Sequence, residues 1–309
     1  MSDDPISQVL RLADVQSVMS GGFLAGGDWA IHFPPPDRIK FFATVRGSCW
    51  LRVDGDREAI FLDAGDVVLL TAPRGFTMGS DTGVPPIEAK TLFAGMGRPE
   101  LRPVGEGGDT LHIGGHVRLN PAYASMLTEA FPPLIHVRGN AAEASTMRWI
   151  LDRLVEECGG DLPGTGLATT QLAHLLFVQV LRAHLGSGGD LPAGWLRAAA
   201  DPRLGPVLRL MHAEPAREWR LEQLARAAAM SRTVFATQFK AAAGVAPLTY
   251  LARWRMRLAE QALRRGEVPV AVLARDLGYA SESAFSHAFK RIVGIPPSRY
   301  AVSLPLAGA

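Results

Sequence analysis

The sequence predicts a two-domain α+β chain, in which a sheet-rich N-terminal domain precedes an all-helical C-terminal domain. Two observations favour this fold class. Residues 220–300 contain one pattern twice, and each copy has helical spacing. Between Gly21 and Val137 the chain consists of short apolar runs separated by Gly, Pro and Asp, which is typical of short strands. A length of 309 residues is sufficient for both domains.

The repeated pattern begins at Ser231 and again at Ser281, about 50 residues later. Each copy has Phe four residues after its Ser, Phe-Lys at eight and nine, and then Gly, Pro and Tyr. The Ser is a typical helix N-cap, and two Phe four positions apart lie on one face of a helix and are expected to be buried. We therefore predict the same helix in both copies.

A second, shorter helix is predicted before each of these helices. Residues 221–228 and 270–277 are apolar and helical in pattern, and tight connectors at 229–230 and 278–280 follow them. Two helices joined by a short turn form a helix-turn-helix, whose second member enters the major groove of DNA.

This pattern resembles the tandem helix-turn-helix domain of AraC/XylS-type transcription regulators over about the last 110 residues. The residues that carry the resemblance are Leu224-Ala225, Met230-Ser231, Phe239-Lys240 and Gly244, and then Leu273-Ala274, residues 278–281, Phe285, Phe289-Lys290, Gly294, Pro296-Pro297 and Tyr300. The resemblance implies that a long helix joins the two units, and Pro247 to Leu263 is well placed to form it. It also implies double-stranded DNA as a partner and RNA polymerase as a second partner, as for an activator.

The outward residues of the two repeated helices are the candidates for contact with DNA. Those expected to read base edges are Arg232, Thr233, Ala236, Thr237 and Gln238 in the first copy and Glu282, Ser283, Ser286 and His287 in the second. Those expected to bind phosphates are Lys240, Arg253, Arg255, Arg257, Lys290 and Arg291. For the three Arg of the joining helix an ion pair with Glu260 or Asp276 is an equal alternative.

Charge is distributed unevenly along the chain. From Asp201 onward there are 16 Lys and Arg against eight Asp and Glu, and before it 16 against 22, so the C-terminal third carries +8 and the remainder −6. A basic region behind an acidic one is typical of a nucleic-acid-binding domain attached to a different one. The acidic N-terminus has no apolar signal core, and polar residues interrupt the most apolar stretch, so we expect a cytoplasmic protein without a membrane span.

Residues 47–77 resemble a cupin, the β-barrel that forms the sensory domain of many AraC-type regulators. The segment from Ala64 to Gly75 matches the second cupin motif. Where metal-binding cupins supply His, this chain has Phe76-Thr77-Met78 and residues 48–51, Ser-Cys-Trp-Leu. Because these positions provide no ligands for a metal ion, we expect neither an enzyme nor a cofactor.

The interior of the cupin-like β-barrel is the default ligand pocket. The candidate effector-binding residues are His32, Phe42, Cys49, His112 and His116. Cys and His together can form a zinc or copper site, and buried structural side chains are the alternative. Gly114-Gly115 predicts a strand with a bulge between the last two His.

The pattern becomes helical after residue 140. Helices are predicted over residues 141–158 and 167–185, and the wide apolar face of the second fits either a homodimer interface through 141–185 or burial against the first helix. Residues 186–194 are rich in Gly and form a linker. The predicted boundaries are 1–140 for the cupin-like barrel with its flanking helices, 141–194 for the dimerisation and linker region, and 195–309 for the DNA-binding domain.

We therefore expect a sequence-specific transcription regulator controlled by a small-molecule effector in the N-terminal domain. Two alternatives remain: an N-terminal domain that only dimerises or binds a protein partner, and a cupin enzyme fused to a DNA-binding domain.

Overall fold

The computed structural model describes residues 4–95, 99–140, 144–160, 162–266 and 268–302. The chain forms two compact units. The first, called the sheet unit below, is Ala13–Asp190. The second, called the helical unit, combines the chain from Leu191 onward with the segment up to Leu12.

Two sheets make up most of the sheet unit. The six-stranded sheet has the order β11-β6-β3-β10-β1-β9, with β1 Gln16–Gly26, β3 Ile39–Arg46, β6 Val67–Leu70, β9 Leu101–Gly105, β10 Thr110–Arg118 and β11 Leu134–Val137. The five-stranded sheet has the order β5-β4-β7-β2-β8, with β2 Ala30–Phe33, β4 Cys49–Val53, β5 Ile60–Leu62, β7 Phe76–Gly79 and β8 Ile87–Glu88. The pairs β1·β9 and β2·β8 are parallel and the others antiparallel.

Both sheets contribute side chains to one apolar core. Its members include Phe23 and Phe42 from the first sheet and Ile31, Leu51 and Phe76 from the second. The predicted α+β class with a cupin-like N-terminal domain is confirmed, but in the described residues the strands form two separate sheets and not a closed barrel.

In the part of the sheet unit that the structure describes, four helices accompany the strands: α2 Ala89–Leu92, α3 Ala124–Thr128, α4 Ala144–Gly159 and α5 Thr165–Gly186. The last two correspond to the predicted helices, although residues 141–143 of the first prediction lie outside the described residues. Met147, Ile150 and Leu154 of α4 are buried, and α5 packs against α4 and β1.

Two stretches differ from what their sequence pattern favours. Residues 91–94 are one of the short apolar runs that favour a strand, but the first two end α2 and the others form a turn. The longest strand, β1, escaped prediction because glycines interrupt its apolar pattern. Gly22 is required there by close packing, since a side chain would overlap the carbonyl oxygen of His112 on β10.

Within the described residues, the helical unit contains eight helices from its C-terminal part and one from the N-terminus. The eight are α6 Trp195–Ala200, α7 Gly205–Ala213, α8 Leu221–Ala227, α9 Arg232–Ala243, α10 Pro247–Arg265, α11 Val270–Asp276, α12 Glu282–Val293 and α13 Pro297–Val302. Helices α8–α9 and α11–α12 are the two helix-turn-helix units, and α10 joins them as expected.

The local signals of the repeat act as predicted. The Ser231 hydroxyl accepts a hydrogen bond from the Val234 amide at 3.3 Å, and Ser281 caps α12 in the same way. The four Phe of the repeat have no exposed surface. The turns of the two units have the same backbone shape, with φ of 51° at Ala229 and 78° at Gly278.

Helix α1, Pro5–Leu12, packs against α6 and α7 within the helical unit. Its Gln8 side-chain oxygen lies 2.9 Å from Nδ1 of His212 on α7. The domain boundaries predicted from the sequence include residues 1–12 in the N-terminal domain. The helices that pack against these residues lie about 200 residues further along the chain.

Candidate DNA interface and ligand cavity

Helix α9 presents a polar face because Phe235 and Phe239 take its other face into the core. The predicted base-reading residues Arg232, Thr233, Thr237 and Gln238 are exposed, and Ala236 is half-buried. The Arg232 guanidinium forms an ion pair with Glu222 of α8 at 3.0 Å, which holds it beside the turn.

Helix α12 repeats this arrangement with different side chains. Glu282, Ser283 and His287 are exposed and Ser286 is half-buried. The first turn of α12 therefore carries a carboxylate where α9 carries a guanidinium, so the two polar faces differ in charge.

The six predicted phosphate-binding cations fall into two groups. Lys240, Arg253, Lys290 and Arg291 are exposed. The other two donate hydrogen bonds to oxygen atoms of the helical unit itself. Arg255 donates from Nε to the carbonyl of Pro215 at 2.6 Å and from Nη2 to that of Arg217 at 2.9 Å. Arg257 donates to the Glu260 carboxylate at 2.9 Å, and that carboxylate is only 6% exposed.

A cavity of about 670 Å³ lies in the sheet unit. Its walls include the rings of Phe33, Phe42 and Phe76, and Phe76 stacks on the other two with ring centroids 4.7 and 5.0 Å away. A cavity of this size with apolar walls is typical of sites for small organic molecules.

Three of the five predicted effector residues, Phe42, His112 and His116, line this cavity. His112 and His116 are on β10. The pairing of β1 with β10 shifts register opposite Gly114 and Gly115, but the extra residue is Ser20 of β1, so the bulge expected in β10 lies in the neighbouring strand. Burial lowers the pKa of His112 to about 3. Burial, followed by the charge of Arg38, lowers the pKa of His116.

The structure places His32 and Cys49 outside the lining of this cavity. His32 lies 3.2 Å from an Asp54 oxygen and 3.0 Å from a Glu88 oxygen. Although burial alone lowers its pKa, these two hydrogen bonds raise it overall. Cys49 belongs to the core, and burial raises the pKa of its thiol to about 12. Within the described residues no cluster of three or more His, Cys, Asp or Glu could hold a metal ion.

Sequence reasoning missed Lys40, which lies on β3 two residues before Phe42 and also lines the cavity. Its Nζ is 5.0 Å from the centroid of the Phe33 ring, and burial lowers its pKa. The alternation Lys40-x-Phe42 on a strand is the one signal that could have placed both side chains on the same face.

Among the described helices, none combines the length and the apolar character that crossing a membrane requires.

Comparison with known proteins agrees with this architecture. A cupin family model matches residues 4–186 and a helix-turn-helix domain model matches residues 224–302. Two relatives described as putative AraC-like transcription regulators, from Streptomyces lividans and Streptomyces antibioticus, are 40% and 39% identical over 297 residues. The aligned residues are 96% of this chain in both cases, and 97% and 98% of the respective relatives. The transcriptional regulator AlkR of Acinetobacter baylyi is 30% identical over 89% of this chain and 91% of its own. The chain therefore belongs to the AraC-like transcription regulators, DNA-binding proteins in which a cupin-like N-terminal domain precedes a helix-turn-helix domain.

Proposed function

We propose that this regulator reads its operator through the polar faces of α9 and α12, in two successive major grooves. The observation that supports this most directly is the common geometry of the two units, in which a capped helix buries two Phe and exposes polar side chains. Gln238 is suited to pair with adenine, and Thr233 and Thr237 offer methyl and hydroxyl groups to base edges. Each well-formed bidentate contact discriminates between bases by about 1–3 kcal/mol.

The exposed cations Lys240, Arg253, Lys290 and Arg291 bind phosphates in this proposal. Arg255 and Arg257 have a different role, because their donors already bind carbonyl and carboxylate oxygens of the unit. We assign them to positioning α10, and thereby the spacing of the two helix-turn-helix units.

The cavity of the sheet unit supports an effector-controlled regulator over one whose N-terminal domain only dimerises. Its volume of about 670 Å³ and its aromatic walls suit a small organic molecule. The relatives described above are named as transcription regulators, which supports a regulatory role for this chain and not an enzymatic one.

A homodimer through α4 and α5 is the remaining part of the proposal. Trp149, Leu167 and Leu175 on these helices are 55%, 69% and 37% exposed, although neighbouring positions are buried between the helices. Exposed apolar side chains grouped on one pair of helices are typical of a protein interface. With RNA polymerase as a second partner, such a dimer would act on cytoplasmic DNA.

Selection of DNA from a random pool by the full-length protein tests the proposal. We expect an enriched motif with two half-sites about one helical turn apart. Gln238→Ala should relax base preference within one half-site, whereas Gln171→Ala, at an exposed position of α5, should leave the motif unchanged. A motif that is the same for wild type and Gln238→Ala would contradict the assignment of α9.

A further inference from the structure

The cavity of the sheet unit is lined by a buried polar side chain that has no hydrogen-bond partner in the described part of the chain. His112 is 1% exposed, and neither of its ring nitrogens has a hydrogen-bond partner among the described residues. Its ring packs at 4.8 Å from Phe23 and 5.3 Å from Trp29. Buried polar groups are normally hydrogen-bonded, because an unpaired one destabilises the fold. A ligand in the cavity would supply the missing partner.

The same cavity has a cationic end, where Lys40 is paired with His116 and an Arg38 nitrogen lies 3.2 Å from the His116 ring. Lys90 also lines the cavity, and Asp37 is the one carboxylate among the described lining residues. Asp37 pairs with Arg38 at 3.6 Å. No Asp or Glu of the described residues lies within ion-pair distance of the half-buried Lys40 ammonium, which instead lies above the Phe33 ring. A positive charge in an apolar wall favours an anionic ligand group.

The register of β3 and β10 gives the distance between these two features. Lys40 is paired with His116, Phe42 with Gly114, and Thr44 with His112. The cationic end and the unpaired imidazole are therefore four residues apart on one face of the sheet, or roughly 13 Å between backbone positions. Phe42 lies between them and is paired with Gly114, which has no side chain. The middle of the cavity is therefore lined by an aromatic ring on β3 and has free space above β10.

We propose that the cavity binds a hydroxylated aromatic carboxylate, with its carboxylate at Lys40 and Arg38, its ring against Phe42 and Phe76, and its hydroxyl group at His112. The imidazole is neutral because burial lowers its pKa to about 3, so one nitrogen accepts a hydrogen bond and the other donates one. This inference rests on the proposed effector role of the cavity and specifies the chemical class of the effector.

Three matched probes test the inference by calorimetry and thermal shift with the full-length protein: 3-(4-hydroxyphenyl)propionate, its methyl ester, and 3-phenylpropionate. The ester lacks the charge and the third probe lacks the hydroxyl. We expect the hydroxy acid to bind at least about ten-fold more tightly than either of the other two probes. The ester loses the charge-assisted hydrogen bond at the cationic end, and 3-phenylpropionate loses the buried hydrogen bond to His112.

Two variants assign the groups, and a third serves as the control. Lys40→Met should abolish the preference for acid over ester, and His112→Leu the preference for the hydroxylated probe. Arg52→Met removes one positive charge from an exposed position of β4 outside the cavity and should retain both preferences. His112→Leu places an apolar side chain in apolar surroundings and is expected to fold, and Lys40→Met tests the other end independently.

Equal affinity for the three probes, or no binding of any of them at millimolar concentration, would overturn the proposed ligand class. So would a Lys40→Met variant that keeps the full preference for the acid. The effector role fails by a different readout. If the hydroxy acid binds with the expected preferences but does not change the affinity for the selected DNA, the ligand class stands and the effector role is refuted.

Discussion

Salt dependence of DNA binding separates the two groups of cations in the helical unit. Each phosphate contact contributes about 0.9 to the slope of log K against log salt concentration. Arg253 and Arg257 lie four residues apart on α10, but the first is exposed and the second pairs with Glu260 at 2.9 Å. We expect Arg253→Ala to reduce the slope by about 0.9 and Arg257→Ala to leave it unchanged.

The expected change is measurable by fluorescence anisotropy with the selected operator. Between about 50 and 200 mM salt, one lost contact reduces the ratio of the two affinities by about 3.5-fold. Lys240→Ala should reduce the slope as Arg253→Ala does. Arg257→Ala instead leaves a carboxylate that is 6% exposed without its cation, and should lower the free energy of unfolding by about 1–3 kcal/mol.

Urea unfolding of the same variants provides the control. Among the described residues the Arg253 side chain has no hydrogen bond or ion pair, so Arg253→Ala should leave the free energy of unfolding within about 0.5 kcal/mol of wild type. An equal reduction of the salt slope by Arg257→Ala and Arg253→Ala would contradict this division of the cations. In that case the guanidinium would leave Glu260 to bind phosphate, and a hydrogen bond within the unit would not exclude a role in DNA binding.

Four further substitutions have expected outcomes. The left-handed backbone at Ala229 costs a non-glycine residue about 1 kcal/mol, so Ala229→Gly should maintain or raise the melting temperature. Gly278→Ala should lower the free energy of unfolding by more than about 2 kcal/mol, because the new methyl group would overlap the carbonyl of Ala216. A neutral result would show that the second turn can adopt another shape. Trp149→Glu should convert a sedimenting dimer into a monomer, and an unchanged sedimentation coefficient would place the interface elsewhere. Burial lowers the pKa of His212 to about 3, below its value of about 6.5 in the unfolded chain, so the unfolded state takes up the proton first; its contribution to the free energy of unfolding falls by about 1.4 kcal/mol per unit as the pH drops between these values. His212→Gln should reduce the pH dependence of the free energy of unfolding in urea titrations. An unaltered pH dependence would show that His212 is not its cause.

The helix-turn-helix units could be predicted residue by residue because their signals are local. Three signals act within a few residues of each other: a capping Ser, two Phe four positions apart and a terminal Gly. All three occur in both copies of the repeat. Local signals did not predict strand β1, because Gly21 and Gly22 interrupt its apolar pattern. Their place in a strand depends on close packing against β10, almost a hundred residues away.

The place of Lys40 in the cavity and the packing partner of helix α1 were missed for the same reason. Lys40 reaches the cavity because β3 pairs with β10 in one particular register, which the sequence of either strand alone does not specify. Helix α1 is amphipathic in sequence, and that pattern predicts burial without identifying what it packs against. Its partner, α7, follows only from tertiary structure.

His112 and His212 show why candidate sites require the structure as well as the sequence. Both are buried in apolar surroundings, and burial lowers the pKa of each to about 3. The ring nitrogens of His212 both have partners, Gln8 at 2.9 Å and the Tyr250 hydroxyl at 2.8 Å, and its ring stacks on Trp254 at 3.8 Å. Those of His112 have none among the described residues, and the ring lines a cavity. Replacement of His212 should therefore reduce stability whether or not a ligand is present, whereas replacement of His112 should act mainly on what the cavity binds.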